Sequence, residues 1–284
     1  MQTADSDNNI FGRTLNPNRL TLTAGGSSGG EGALVAMRGS ILGVGTDIAG
    51  SIRIPALCCG TYGFKPSANR VPYSGQAEPV RDGMPGVIPA AGPLCTSPRD
   101  MAFFMENVLS KAPWALDSKA LFMPWRAVES KKKLRIGILP SDPHFPLTPP
   151  VARAMAVAAK KLSESGHALV EFADVPNIKE STDLCAEFFF LDNTNVAFQH
   201  IQASGEPVIP SIPTVTFAHK DSYDLDDIFR LNSQRDAFEE NWRKVFVQHK
   251  LDVIVAPAAE TTAVPHDTYG VPPYSKVPAT CPYS

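Results

Sequence analysis

The sequence predicts an α/β fold, with helices layered on a largely buried β-sheet. Three observations carry this. In the second half of the chain, short apolar strand candidates (LRIGIL at 134–139, ALVEF at 168–172, LDVIVAP at 251–257) alternate with helical patterns. With 43% of its 284 residues hydrophobic and 19% charged, the chain can fill a sizeable core. Neither an internal repeat nor a linker-like run interrupts it, so one continuous domain over residues 1–284 is expected.

Taken in order, NNIFGRTLNP reads as turn and loop, and residues 20–23 (LTLT) as a short extended piece. A helix is expected over 31–38, fed by the loop GGSSGG. A strand follows at 41–44, a helical turn at 52–59 and another short strand at 62–65. Residues 66–96, rich in Pro and Gly, predict ordered surface loops. Ser97-Pro98 is a helix start, a cap followed by proline at the first helical position. Residues 149–165 form an amphipathic pattern that stops at Gly166. Further helices are expected at 178–191, 193–203 and 225–249.

Several function classes are disfavoured. A net charge of −3, with no Lys/Arg stripe interleaved with aromatics, argues against nucleic acid as a partner. No apolar run of 18 residues predicts a membrane span, and the first residues lack the basic and apolar regions of a signal peptide, so a soluble, cytoplasmic protein is expected. The six histidines form no close pair and the five cysteines no C-x-x-C spacing, so no metal site is expected. The thiols read as small buried hydrophobes. GGSSGGEG lacks the Lys-Ser/Thr of a P-loop, and in GVGTDI Ile48 stands where a dinucleotide fingerprint needs glycine.

What remains is a run with two glycine-wrapped serine sites: Ser27 and Ser28 in GGSSGG, then Ser51 in TDIAGSIR. Glycine beside a hydroxyl frees the backbone and lets a substrate approach main-chain N–H groups. Ser27 and Ser28 both fit the G-x-S-x-G pattern of a nucleophile elbow, for which Asp252 and His266 follow in the order an α/β-hydrolase esterase would need. That reading leaves TDIAGSIRIP unexplained.

The whole stretch resembles the amidase signature family. Gly25-Gly26-Ser27-Ser28-Gly29-Gly30, then Gly32-Ala33, then Gly43-x-Gly45-x-Asp47-x-Ala49-x-Ser51-Ile52-Arg53-x-Pro55-Ala56 follow its pattern, and the likeness continues through NNIFGRTLNP and CCGTYGFKP. Within the family the sequence is most similar to the fungal acetamidase-type branch. The resemblance implies a mixed β-sheet covered by α-helices and hydrolysis of a small linear amide through a Ser-Ser-Lys triad, without a cofactor. Ser51 falls on the nucleophile and Ser27 on the bridging serine, with a cis peptide bond between Gly26 and Ser27. The N–H groups of Ile48, Ala49, Gly50 and Ser51 would stabilise the oxyanion. Ser28, Asp47 and Arg53 would support the site, the last two by pinning the turn.

The triad's lysine lies upstream of the bridging serine in this family. Here no lysine precedes Ser27, and the first is Lys65, at a different family position. The proline-rich stretch YGVPPYSKVPATCPYS stands where relatives continue with further sheet and helix. The expectation is an incomplete family member, cut at both ends, with negligible turnover by itself. A non-catalytic amide-binding or regulatory remnant is the alternative from a different class. Residues 73–95 and the helices at 178–203 are the expected substrate walls, with Phe188 to Phe190 expected in the core. The sequence leaves the oligomeric state open, a homo-oligomer included.

Overall fold

A computed structural model describes residues 4–76, 81–84, 86–129, 133–172, 175–192, 196–209 and 222–269. Its described strands form two three-stranded sheets and a small hairpin, packed with seven α-helices. The hairpin pairs β1 (Asp7–Asn8) with β2 (Gly12–Arg13).

The first sheet has the order β3-β5-β4 and is antiparallel throughout: β3 is Leu42–Asp47, β4 Tyr62–Gly63 and β5 Ala90–Cys95. All six residues of β5 are buried. Its alternate side chains serve two cores. Leu94 packs with Val35 of α1 (Gly29–Ala36) and with Ile52 and Ala56 at α2 (Arg53–Cys59). On the other side, Ala91 packs with Met105 and Leu109 of α3 (Pro98–Ser110). The sheet therefore lies between α1 and α2 on one face and α3 on the other.

Strand β5 falls inside the 66–96 region expected to be loop, and Pro93 is the reason it was hidden. Proline cannot donate to a ladder and is rare in central strands. Here Phe64 N–H donates to the Pro93 carbonyl at 3.0 Å, while β4 pairs only with Leu94 and Cys95. In an extended strand one residue's N–H and C=O point the same way. The missing donor thus faces the side where β4 has already ended, and the β3–β5 ladder is uninterrupted.

The second sheet is parallel, in the order β7-β6-β8: β6 is Arg135–Ile138, β7 Ala168–Glu171 and β8 Val253–Val255. Helix α4 (Pro149–Glu164) joins β6 to β7, and α5 (Ile178–Phe189), α6 (Val196–Ser204) and α7 (Leu225–His249) lead back across to β8. Right-handed crossovers running in opposite directions across a sheet place their helices on opposite faces. On the α7 face, Val245 packs against Val170 and Phe172, with Trp242 and Ile254 alongside.

Most expected elements appear, with ends moved by a few residues. The expected cap forms, with Ser97 Oγ accepting Asp100 N–H at 3.2 Å, and α7 opens on a reciprocal box between Asp224 and Asp227 that sequence reasoning had not named. The strand at 41–44 extends to Asp47, and residues 20–23 form only isolated bridges, Leu15 to Thr23 and Leu22 to Pro265. Residues 193–195 of one expected helix, positions 77–80 and 85 of the expected wall and the proline-rich run from 270 lie outside the described residues.

Residues 264–269 return to the first sheet's side of the molecule. Val264 and Tyr269 pack with Ala4 and Ile54, and Thr23 N–H donates to the Val264 carbonyl at 2.9 Å. Among the described residues no helix is long and apolar enough to cross a membrane.

Candidate active site

The two serine loops meet. Ser28 N–H donates to the Ser51 carbonyl at 3.1 Å, so the peptide that follows Ser27 is hydrogen-bonded to the residue that carries the second hydroxyl. Ser27 and Ser51 are both half-buried, within reach of a small molecule. No side-chain hydrogen bond among the described residues ties up either hydroxyl. The peptide bond between Gly26 and Ser27 is cis, as the resemblance implied.

Gly25 shows why the GGSSGG loop needs glycine. Its φ is +79°, and a Cβ there would lie 2.8 Å from the Pro55 backbone nitrogen. The loop thus rests directly on the start of α2, which begins just after Ser51.

Ser28 joins the loop to the sheet. Its Oγ donates to the Thr46 carbonyl at 3.3 Å and accepts Thr46 N–H at 3.2 Å, fixing the start of α1 to the end of β3. From the other side Ser6 does similar work. Its hydroxyl accepts Gly29 N–H at 3.0 Å and donates toward the carbonyls of Gly25 (2.9 Å) and Ser27 (3.2 Å). Sequence reasoning missed Ser6, because one serine in a polar N-terminal run carries no signal. Ser6→Ala is expected to lower stability by about 1–2 kcal/mol, seen as a reduced urea midpoint; an unchanged midpoint would show that this staple is not needed.

Asp47 organises the second loop. It is completely buried, and its carboxylate accepts N–H groups from Gly50 (2.7 Å), Ile52 (3.2 Å) and Arg53 (3.4 Å). The Arg53 guanidinium adds Nε at 2.9 Å and Nη2 at 2.8 Å. Burial opposes the charge on Asp47, but the hydrogen bonds and charge of Arg53, with the N–H groups of Gly50 and Ile52, outweigh it and hold its pKa below the ordinary value. Gly50 adopts φ +133°, a conformation other residues rarely take.

This geometry amends one expectation. Gly50 was expected to aim its N–H at the oxyanion, yet that N–H is committed to Asp47 Oδ1. The N–H groups of Ile48, Ala49 and Ser51 take no part in the bonds to Asp47. Asp47 and Arg53 are bonded to each other and, through Asp47, to the backbone of the turn.

The elbow alternative loses its partners. Asp252 Oδ2 accepts Arg135 N–H at 2.9 Å, whereas His266 places Nε2 3.1 Å from the Leu20 carbonyl and Nδ1 3.8 Å from Asp5. The Asp252–His266 pair that an esterase would need is not formed.

Cys58, Cys59 and Cys95 are buried, and burial pushes the first two thiols up to about 12 and about 11. They are inert packing groups. Among the described residues no cluster of His, Cys, Asp or Glu suits a metal ion. A cavity of about 810 Å³ includes Ile48 in its wall. Val87 and α5 contribute to the lining, and a large share of it comes from α7, which sequence reasoning had not assigned. Phe188 is both: 2% exposed, and part of the cavity wall.

Comparison with known proteins bears on the family. The family model described as Amidase matches residues 1–278. An amidase of Gibberella moniliformis is 38% identical over 270 residues, covering 94% of this chain and 51% of that protein. An acetamidase of Aspergillus oryzae is 34% identical over 291 residues, covering 98% and 53% respectively. Among solved structures, a fatty acid amide hydrolase superposes with a TM-score of 0.87 at 32% identity, over 96% of this chain and 48% of the other. The chain thus spans about half the length of the relatives it matches. On its sequence, its mixed α/β fold and the paired serine loops, the chain belongs to the amidase signature family.

Proposed function

We propose that the chain carries the serine machinery of an amide hydrolase, with Ser51 as nucleophile and Ser27 as proton relay. The observation that carries this is the hydrogen bond from Ser28 N–H to the Ser51 carbonyl, which joins the two serine loops beside a turn clamped by Asp47. Relatives named acetamidase and fatty acid amide hydrolase support amides as the substrate class.

In this reading Ser51 Oγ attacks the amide carbonyl carbon while its proton passes through the Ser27 hydroxyl to a neutral amine base. The N–H groups of Ile48, Ala49 and Ser51 receive the developing oxyanion. Ser27 then returns a proton to the departing nitrogen as the C–N bond breaks, leaving an acyl group on Ser51. Water hydrolyses that ester and releases the carboxylate. An alcohol is a poor nucleophile at neutral pH without an adjacent base, and no lysine precedes Ser27 in this sequence. The 284 residues by themselves are therefore expected to turn over amides negligibly.

A base supplied from solution tests both statements. A fluorophosphonate probe, with mass spectrometry to locate the adduct, is expected to label Ser51 slowly. Added propylamine at about pH 9–10, where a primary amine is partly neutral, should speed labelling at least ~10-fold. Ser51→Ala should abolish it. Labelling at Ser27 or Ser28 instead would sink the assignment of the nucleophile. Acetamide hydrolysis by the chain without added amine, lost in Ser51→Ala, would sink the need for a further base.

A further inference from the structure

The hydroxyl of Ser6 meets the serine loop at three alternate residues. It accepts Gly29 N–H at 3.0 Å, and its single proton is shared between the carbonyls of Gly25 at 2.9 Å and Ser27 at 3.2 Å. The approach is close, since a Cβ on Gly29 would lie 2.3 Å from Ser6 Oγ. The bond to Ser27 bears most on the proposed chemistry. The peptide unit from Ser27 to Ser28 is held at both ends, its carbonyl by Ser6 Oγ and its N–H by the Ser51 carbonyl at 3.1 Å. One chain of hydrogen bonds therefore runs from the Ser6 hydroxyl through that peptide to the main chain of Ser51. Bonds in such a chain polarise one another, so donation to the Ser27 carbonyl strengthens the N–H at the far end.

A hydroxyl imposes geometry only if its own backbone is fixed, and that of Ser6 is. Thr14 N–H donates to the Ser6 carbonyl at 2.9 Å. Just before it, Ala4 and Asp5 are buried. Ala4 packs with Val264, Tyr269 and Ile54, and Asp5 Oδ2 accepts Asp267 N–H at 3.0 Å. Arg13, opposite Asp7 in the hairpin, pairs with both Asp7 and Asp267. Ile54 sits in the first turn of α2, just after Ser51. Ser6 and the proposed nucleophile are thus anchored to the same packed block.

We propose that Ser6 is a positioning residue for the proton relay: it orients the Ser27–Ser28 peptide, and through it the Ser27 hydroxyl that takes the proton from Ser51. This rests on the reading of Ser51 as nucleophile and Ser27 as relay. Ser6 exchanges no proton in the reaction, because its own is donated to carbonyls that do not take it up. The direction of the Ser27 Cα–Cβ bond is set by the peptides on either side of it. Without the Ser6 hydroxyl the second of these is held at its N–H end alone. A relay makes two successive transfers, each needing a separation near 3 Å, so a small rotation there interrupts it.

The fluorophosphonate reaction separates this role from a purely structural one. Labelling rate plotted against neutral propylamine gives an intercept, the reaction without added base, and a slope, the part that needs the relay. Ser27→Ala defines the slope that remains when the relay is gone. Ser6→Ala, measured where it is folded, is expected to lower the slope at least ~5-fold toward that limit while the intercept stays within about twofold. Ser97→Ala, which removes the cap of α3 and so also costs stability, should keep the slope of the unmodified chain. Ser6→Cys, similar in size but weak as donor and acceptor, should match Ser6→Ala and keeps the test open if that variant does not fold. An unchanged slope in the folded Ser6 variants, or slope and intercept falling together, overturns the proposal. The two readings fail distinguishably. Labelling away from Ser51, or a full slope in Ser27→Ala, removes the relay reading and this inference with it. Amine-stimulated labelling of Ser51 that needs Ser27 but survives loss of the Ser6 hydroxyl removes the positioning role alone.

Discussion

Replacing Asp47 by alanine is expected to cost about 3–5 kcal/mol of stability and to abolish amine-stimulated labelling of Ser51. The size follows from what the carboxylate holds. It lies at 0% exposure and accepts three backbone N–H groups and two from the Arg53 guanidinium. Alanine removes the counter-ion of a half-buried Arg53 and strips N–H groups of their acceptor, and the turn carrying Ser51 loses its shape. Asp47→Asn keeps one acceptor oxygen but turns an NH2 toward Arg53, so an intermediate loss is expected. Urea midpoints, with labelling measured at low urea, check this. A stable Asp47→Ala protein that still labels at Ser51 would show that the clamp does not shape the nucleophile. The pH dependence has a definite sign. A carboxylate held below its ordinary pKa contributes stability that is full above the unfolded value and is lost as pH falls through the folded one. The contribution of Asp47 therefore disappears only in acid, below the usual aspartate range.

Glu260→Gln is expected to do the reverse, flattening the loss of stability with rising pH and making the protein more stable in alkali. Glu260 is 4% exposed, and no other described residue donates a hydrogen bond to its carboxyl oxygens. Burial raises its pKa from 4.5 to about 7, with only its own backbone N–H working the other way. Between those values the folded state keeps a proton that the unfolded chain has released, so stability falls as pH rises from about 4.5 to about 7 and then levels off. A rise of that size corresponds to about 3 kcal/mol. The position matters, because the Glu260 carbonyl accepts both the N–H (2.8 Å) and the hydroxyl (2.9 Å) of Thr148, tying the chain after β8 to the start of α4. Glutamine leaves a buried amide equally poor in partners at every pH, so the diagnostic quantity is the slope. Urea midpoints at pH 4 and pH 8 should converge toward each other in the variant. If the two proteins show parallel pH profiles, Glu260 is not the group that titrates.

Much of the fold was legible because local chemistry and tertiary packing agree along it. The Ser97 cap, the glycine after α4 and the apolar strands of the second sheet each announce an element whose neighbours demand it. Strand β5 was not legible, since small residues and Pro93 spell a loop until β3 and β4 are placed on either side. The same holds for α7 as a cavity wall. Its periodic aromatics establish a helix face, but a sequence does not say that the face lines a space opposite α5.

The site divides along the same line. By itself the sequence determined the glycine-wrapped serines, their family pattern and the acid and base that flank the turn, because these depend on residue type at fixed spacing along one short stretch. Only the tertiary structure decided what each group is bonded to. Ser6 reaches across from the N-terminal hairpin to staple the loop, Gly50 gives its N–H to Asp47 rather than to a substrate, and His266 turns to Leu20 and Asp5 instead of Asp252. The reason is physical. A hydrogen bond is satisfied by whatever partner folding brings within about 3 Å, and partners distant in sequence leave no trace in the local pattern.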